Sequence, residues 1–365
     1  MEKGNQNAVK LPALKVPLIL SGIIFGAVAI VLSLSGNPAN MAICIACFIR
    51  DIAGSLKLHT AAPVQYFRPE IAGILLGSFV ISVATKEYKS TAGSSPLLRL
   101  FFGFSMAVGA LVFLGCPLRM VIRMAAGDLN AYVALIGFIA GIFTATIALK
   151  NGFTLGRTYE TQKANGAVLT VIMAVLFVLS VTTTLFAVST KGPGSMHAPV
   201  LLALAAGVVV GAVSQKTRTC FAGGIRDLFL VGSFDLLSII AALFVTMLVF
   251  NIAAGKAHFS FTGQPVAHSQ HLWNFLGMYA VGVAAVLAGG CPFRQLVLAG
   301  QGSADAAITV IGMLIGAAAA HNFGLAGAAA SKESLGGPGA NGKTVLIACI
   351  ILLLIIAFTQ KRKNK

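Results

Sequence analysis

The sequence predicts an all-α integral membrane protein: an inverted-repeat helical bundle of about ten transmembrane helices with four short re-entrant helices and an hourglass shape. Three observations predict it. Of the 365 residues, 57% are hydrophobic and only 10% charged, against about 25% charged in a soluble domain. Such a chain cannot cover its apolar surface in water. The apolar runs are about 20 residues long, enough for a helix to cross a bilayer, and the roughly ten-residue alternating strands of outer-membrane barrels are absent. The chain also repeats itself. Gly115-Cys116-Pro117-Leu118-Arg119 returns 175 positions later as Gly290-Cys291-Pro292-Phe293-Arg294. Upstream, Cys44-Ile45-Ala46-Cys47-Phe48-Ile49-Arg50-Asp51 is answered at an offset of 176 by Cys220-Phe221-Ala222-Gly223-Gly224-Ile225-Arg226-Asp227. Two motifs at nearly one period mark a duplicated unit.

Residues 1–16 are polar, carry Lys3, Lys10 and Lys15, and read as a cytoplasmic N-terminal tail. The first apolar run, 17–35, is too long for a signal peptide and many runs follow, so it reads as the first span. Residues 36–56 hold Gly36-Asn37-Pro38-Ala39-Asn40, Cys44, Cys47, Arg50 and Asp51. This stretch is too short and too polar to cross. It reads as a re-entrant half-helix lined by protein, since backbone outside regular spans must avoid lipid. Spans at 69–85 and 97–115 lead to Cys116-Pro117, which opens a second short helix running to Met124. Further spans follow at 130–149 and 166–190.

The first membrane repeat is therefore 17–165, and 166–190 is a linking transmembrane helix. The second, inverted repeat is 191–325. Its spans at 199–215, 232–254, 272–290 and 304–321 surround the Cys220 segment and Cys291-Pro292. Residues 326–365 supply an outer loop, a last span at 344–359 and the basic tail Lys361-Arg362-Lys363-Lys365.

The formal net charge is +16, which in a soluble chain suggests nucleic acid. Here much of it lies at the chain ends and in short loops, where lysine and arginine set orientation, and nucleic acid is excluded as a partner. Ten crossings place both termini on one side, and their basic residues assign that side to the cytoplasm of a bacterial-type cytoplasmic (inner) membrane. Five crossings precede the second copy, so it enters inverted. Cys44 and Cys116 then open outward and Cys220 and Cys291 inward, as two funnels back to back. Positive charge also helps draw an anion toward a pore.

The Cys-Pro-x-Arg motif has a physical reading. Proline is favoured at the first position of a helix, where its missing N–H is no loss. Cys116 and Cys291 are then N-cap residues, beside free N–H groups and partial positive charge, which make an anion site. Arg119 and Arg294, one turn in, either counter a bound anion or brace the re-entrant turn. A thiolate would be favoured by the helix dipole but would repel an anion, so neutral thiols donating weak S–H bonds are expected.

The other cysteines divide. Cys44 and Cys47, three apart, fall on one helix face. They leave open a redox pair, while the second copy offers only Cys220, so no metal centre and no cofactor is expected. Cys349, in the last span, reads as a small core hydrophobe. The six cysteines lie in or beside apolar segments and do not form a disulfide framework.

The charged residues near the membrane default to paired or functional roles. Arg50 with Asp51, and Arg226 with Asp227, are expected as structural ion pairs that pin their short helices. Asp128 and Asp305 follow short helices and are expected beside arginines, and Glu70 opens a span as a helix N-terminal charge. Asn37-Pro38-Ala39 is reminiscent of water channels, but those need two such motifs and the matching place here is Val213-Ser214-Gln215. The six histidines map mainly to loops and span ends with no catalytic arrangement, and the protein is not expected to be an enzyme.

At these residues the chain resembles the YeeE/YedE family of membrane proteins. The resemblance runs nearly the whole length, through the paired Gly-Cys-Pro-x-Arg segments and the order of the halves. The stretch from Gly36 to Gly54 is more specifically similar to YedE-type selenium-metabolism members. The wider family includes thiosulfate uptake proteins. The resemblance implies an hourglass body with a narrow waist, along which cysteine thiols hand on a small selenium- or sulfur-containing anion. By motif it carries that role to Cys116 and Cys291, to Cys220, and to Cys44 or Cys47. The expected activity is uptake of such a species through thiols, arginines and half-helix ends, with thiol redox chemistry on sulfur or selenium as the alternative. Expected partners are the anion, the lipid bilayer and a small cytoplasmic sulfur or selenium carrier protein.

Overall fold

Helices build most of the described protein. The computed structural model describes residues 15–361, so the tail residues Lys3, Lys10, Arg362, Lys363 and Lys365 lie outside the described residues. The helices run in the order α1 (Val16–Leu34), α2 (Ile45–Ser55), α3 (Pro69–Ala84), α4 (Pro96–Phe113), α5 (Pro117–Ala125), α6 (Leu129–Lys150) and α7 (Lys163–Thr182). They continue with α8 (Val200–Thr217), α9 (Phe221–Val231), α10 (Asp235–Ala253), α11 (His271–Leu287), α12 (Pro292–Gly300), α13 (Ala304–Asn322) and α14 (Ala340–Thr359). Two small antiparallel pairs tie loops: β1 (Thr91–Ala92) with β2 (Tyr159–Glu160), and β3 (Gly327–Ala328) with β4 (Gly337–Pro338).

Ten segments are long and apolar enough to cross a membrane, with α4–α5, α8–α9 and α11–α12 each counted as one run. The protein is thus an all-α membrane bundle. The local chemistry explains the starts and breaks. Pro69, Pro96, Pro117 and Pro292 open α3, α4, α5 and α12, where a missing N–H removes nothing. The break after α4 falls at Leu114, whose φ of 63° is left-handed, and that after α8 falls at Arg218, at 56°.

Several boundaries differ from the sequence reading, among them that α10 starts at Asp235 and α11 ends at Leu287, each span three residues shorter at that end. Helix α7 ends at Thr182 rather than near 190. The β-branched run Val181-Thr182-Thr183-Thr184 loses rotamer freedom in a helix, and the backbone beyond it finds other partners. Ala187 N–H donates to the Ser55 carbonyl (2.9 Å) and Ser189 N–H to that of Gln65 (2.7 Å). Helix α7 also starts three residues earlier than expected, at Lys163, and α14 four residues earlier, at Ala340. Their first turns, Lys163-Ala164-Asn165 and Ala340-Asn341-Gly342-Lys343, are polar enough to read as loop.

The helices pair across the two halves of the chain. α3 packs on α8 and α1 on α10, while α4 packs on α13 and α6 on α11. These are exchanged pairs: if α1 and α3 correspond to α8 and α10, the first two contacts are the same contact made twice. The same holds for α4, α6, α11 and α13, and for α2 on α13 against α9 on α6. All four major pairs are parallel. Glu70 lies against Gly207 and Ile74 against Gly211; Ala242 lies against Gly22 and Thr246 against Gly26. Leu100 meets Gly312 and Phe104 meets Gly316, and Phe275 meets Gly137 and Tyr279 meets Gly141.

Each seam carries glycines four residues apart. Between helices in lipid the hydrophobic effect gives little attraction, so close van der Waals contact through small residues holds them. The short helices α2, α5 and α12 are sequestered by this frame, and every described residue of α2 and α5 is buried.

Candidate substrate pathway

Four cysteines stand at the N-cap positions of four short helices, and two of them cap with the thiol. Cys44, Cys116, Cys220 and Cys291 are the N-cap residues of α2, α5, α9 and α12. For Cys116 and Cys291 this is the expected place. For Cys44 it corrects the sequence reading, which put Cys44 and Cys47 together on one helix face. The Cys44 backbone is extended and its Sγ accepts from the Cys47 N–H at 3.4 Å. Cys220 does the same with Gly223 N–H at 3.2 Å. A thiol thus performs the capping that serine or aspartate usually does.

The capped ends meet in pairs. Ile45 N–H, in the first turn of α2, donates to the Cys116 Sγ at 3.3 Å. Cys291 N–H donates to the Cys220 Sγ at 3.5 Å. Through these backbone donors Cys44 is set beside both Cys47 and Cys116, and Cys220 beside Cys291. All six cysteines are free thiols and buried. Two half-helix N-termini therefore converge at each thiol cluster, concentrating partial positive charge where thiols are the side chains.

The two arginines of the repeated motif behave differently. Arg119 is fully buried and held by carbonyls: Nε donates to Asn40 O (2.9 Å), Nη1 to Leu114 O (2.5 Å) and Nη2 to Val266 O (3.1 Å). Nη1 also reaches the Cys47 Sγ at 3.5 Å. Arg119 braces the re-entrant turn. Arg294 is 8% exposed and, among the described residues, has no ion-pair partner and a buried Nη1 without a hydrogen bond. In its half the turn is braced by Gln295, whose Nε2 donates to Ala288 O (3.1 Å) and Gly290 O (3.0 Å), and by Arg99, whose Nη1 donates to Ala288 O (2.5 Å). Met120 stands where Gln295 has its counterpart, and a thioether cannot donate.

The remaining charges pair as follows. Arg50 Nη2 meets Asp51 Oδ1 at 2.7 Å, and Asp51 Oδ2 takes a second cation, Arg68 Nε, at 2.8 Å. All three are buried, and the other Arg68 nitrogens donate to Met196 O and Pro193 O. Arg226 meets Asp227 at 2.7 Å in a half-exposed pair. Asp128 takes Arg123 at 2.7 Å. Asp305 departs from the expectation: it accepts the backbone N–H groups of Gly93 and Ser94. Its partner is thus a loop rather than an arginine, and it pins β1 to α13.

Sequence reasoning missed Arg68, whose Asp51 partner is 17 positions away, and the depth of Glu70. It also missed Asn37 as a junction. Asn37 Nδ2 donates to Ala42 O (2.7 Å) and to Glu70 Oε1 (2.8 Å), while its Oδ1 accepts from Ala198 N–H (2.8 Å). The repeated charged and capping positions carried a signal; the asparagine, read only as part of a water-channel motif, carried none.

A cavity of about 520 Å3 opens at the C-terminal ends of α1, α5 and α10. Gly36, Asn37 and Asn40 line it, so it reaches the loop that precedes Cys44, and Lys256 and His258 also face it. Between α5 and α9 lies a separate, wholly apolar pocket of about 190 Å3 lined by Met120, Phe138 and Phe221 among others. Among the described residues no group of three or more His, Cys, Asp or Glu side chains is arranged to hold a metal ion.

Comparison with known proteins adds one finding. Residues 216–364 match the family described as Sulphur transport. No curated protein matches the chain. The match and the ten-span body support a sulfur-related membrane transporter. Over residues 216–364, which hold the Cys220 segment and Gly290-Cys291-Pro292-Phe293-Arg294, the chain is similar to the sulphur transport family.

Proposed function

We propose that the protein carries a small sulfur-containing oxyanion of the thiosulfate type, or its selenium counterpart, into the cell past two thiol clusters. The observation that carries this reading is Arg294. Among the described residues it is a buried guanidinium with no anionic partner, on α12 whose N-cap residue is Cys291, beside Cys220. A buried unpaired charge is strongly destabilising, so a site that keeps one suits a visiting anion. The two N-termini add positive potential. Neutral thiols donate to the terminal chalcogen without repelling it.

A bare dianion in hydrocarbon costs far more than binding recovers. In this reading Cys44, Cys47 and Cys116 receive the anion first, and Cys220, Cys291 and Arg294 receive it next. Phe293, packed edge-on against Phe25 (5.5 Å) and Phe221 (6.1 Å), is the apolar seal at the waist. The exchanged parallel pairs support an inverted repeat. If α1 and α3 cross in opposite senses, α8, parallel to α3, opposes its counterpart α1. Both termini then face the cytoplasm of an inner membrane, where a small sulfur or selenium carrier protein receives the cargo.

The test is flux into proteoliposomes of thiosulfate, selenite and sulfate, with C116A, C291A and R294Q as variants. Thiosulfate, with its soft terminal sulfur, should enter, and sulfate, whose terminal atoms are all oxygen, should not; selenite, which also ends in oxygen, tests whether a central selenium atom is enough. Entry of none of the three sinks the reading.

A second reading, thiol redox chemistry on the same cargo, is favoured by one observation: Cys44 accepts from the Cys47 N–H, and the next residue, Ile45, donates to the Cys116 thiol. Intact-mass measurement after exposure to the cargo decides it, since a disulfide or a sulfur adduct is required.

A further inference from the structure

Glu70 has an environment that anchoring a helix does not explain. It is 1% exposed, in the first turn of α3. One oxygen, Oε1, accepts from Asn37 Nδ2 at 2.8 Å, and the other, Oε2, is buried with no partner. No cation pairs with it among the described residues. Arg68, two residues before it, has its Nε on Asp51 and its other nitrogens on Met196 O and Pro193 O.

The neighbouring elements supply little else that could neutralise it. From α2 come Asp51 and Arg50, already joined to each other. The segment before α3 brings Tyr66, on which His197 stacks at 4.0 Å. Helix α8 brings only Gly207, whose close approach seals that side. A carboxyl group with one donor and one unsatisfied oxygen, buried in a membrane protein, is a group poised to take a proton.

Two contacts give the proton a route and a consequence. Asn37 lines the cavity of about 520 Å3, so water there stands one side chain from the carboxyl group. Asn37 also holds the carbonyl of Ala42 at 2.7 Å, two residues before Cys44. Its orientation is fixed by Ala198 N–H, which donates to its Oδ1. A change of charge at Glu70 is therefore felt by the loop that presents the first thiol.

We propose that Glu70 is a proton-binding site, reached from this cavity through Asn37, whose charge sets the geometry of the loop carrying Cys44. Ionised, the carboxylate holds the Asn37 amide and with it the loop. Protonated by a water-borne proton, it becomes a weaker acceptor and the loop is released. The proton and the anion at Cys44 and Cys116 then influence one another reciprocally. This coupling rests on the transport reading; the proton site does not.

The experiment has two arms on the full chain in proteoliposomes. Difference infrared spectroscopy across a pH titration, without cargo, should show a carboxylic-acid C=O band that is lost in E70Q. In N37A the band should persist to higher pH by about one pH unit, because the ionised form has lost its only donor. In the second arm an imposed pH gradient should change thiosulfate flux in the wild type and not in E70Q, which should keep flux down a thiosulfate gradient. No titrating band assignable to Glu70, or an E70Q protein whose flux still follows the pH gradient, overturns the proposal. A Glu70 band that titrates and shifts in N37A, in a protein with no thiosulfate flux, supports the proton site while sinking the cargo assignment.

Discussion

Arg119 and Arg294 stand at the same place in a repeated motif, three residues after an N-cap cysteine, yet among the described residues one is spent on three carbonyls and the other has no hydrogen-bond partner. The difference traces to the next residue. Gln295 braces its own turn, and Met120 cannot, so in the first half the arginine must do it. The two substitutions R119Q and R294Q should accordingly separate. R119Q leaves one buried and two part-buried carbonyls without a charged donor and should lower stability by about 3 kcal/mol, read as a fall in melting temperature in detergent. R294Q removes an unpaired buried charge and should leave the melting temperature unchanged or higher. Its effect should appear as at least a tenfold rise in the apparent KM for the anion.

The thiols give a second prediction. C116A and C291A should each abolish flux while the protein still inserts and folds, because an alanine cannot donate to the anion and neither thiol caps its own helix. C349A should transport normally, since Cys349 lies on α14 away from the four caps. Serine at position 291 should retain part of the flux, as a hydroxyl keeps the donor and loses the soft contact. Radiolabelled uptake normalised to folded protein checks all four.

The helix seams give a third. Gly73 and Gly77 on α3 rest on the backbone of Leu204, Gly207 and Val208. A leucine at Gly77 has no room and must push α8 away, which dismantles the frame around α2 and α12. G77L should fail to yield folded monodisperse protein. G339A should be neutral, because nothing lies within 4 Å of that side of Gly339. Size-exclusion profiles in detergent compare them.

A fourth concerns His268, in the segment between α10 and α11. Burial, the largest influence, pushes its imidazole down to about 4, against the pull of its bond to Val112 O. Nε2 donates to Val112 O at 2.8 Å and Nδ1 accepts from Gln270 N–H, so the folded ring is neutral. Arg123, Asp128 and His271 are the charged or titratable groups around it. The unfolded histidine takes a proton near pH 6.5, so between pH 6.5 and 4 the unfolded chain binds more protons. Stability is therefore full above pH 6.5 and falls as the pH drops toward 4, by about 1.4 kcal/mol per pH unit at most. Melting temperatures from pH 7 to pH 5 should decline, and H268N should flatten that decline.

Much of this protein is written locally in its chain. Ten spans follow from runs of apolar residues, because a bilayer demands about 20 of them per crossing. The starts of α5 and α12, and the capping place of Cys116 and Cys291, follow from Pro117 and Pro292, since proline fits a helix at its first turn. The glycines four apart on α1, α3, α6, α8 and α13 were equally legible as close-packing seams, although only the packed structure drew attention to them.

What the tertiary structure decided is which groups have partners. The repeat makes Arg119 and Arg294 look alike; contact with Asn40, Leu114 and Val266 on one side, and with none on the other, divides them. Cys44 and Cys47 share a helical spacing, yet the chain bends at Cys44 and turns it into a cap. Glu70 reads as a helix-start charge until α8 closes over it and, among the described residues, leaves Asn37 as its side-chain donor. Span and cap are set by a residue and its near neighbours, while the state of a buried charge depends on every atom that folding brings against it or keeps away.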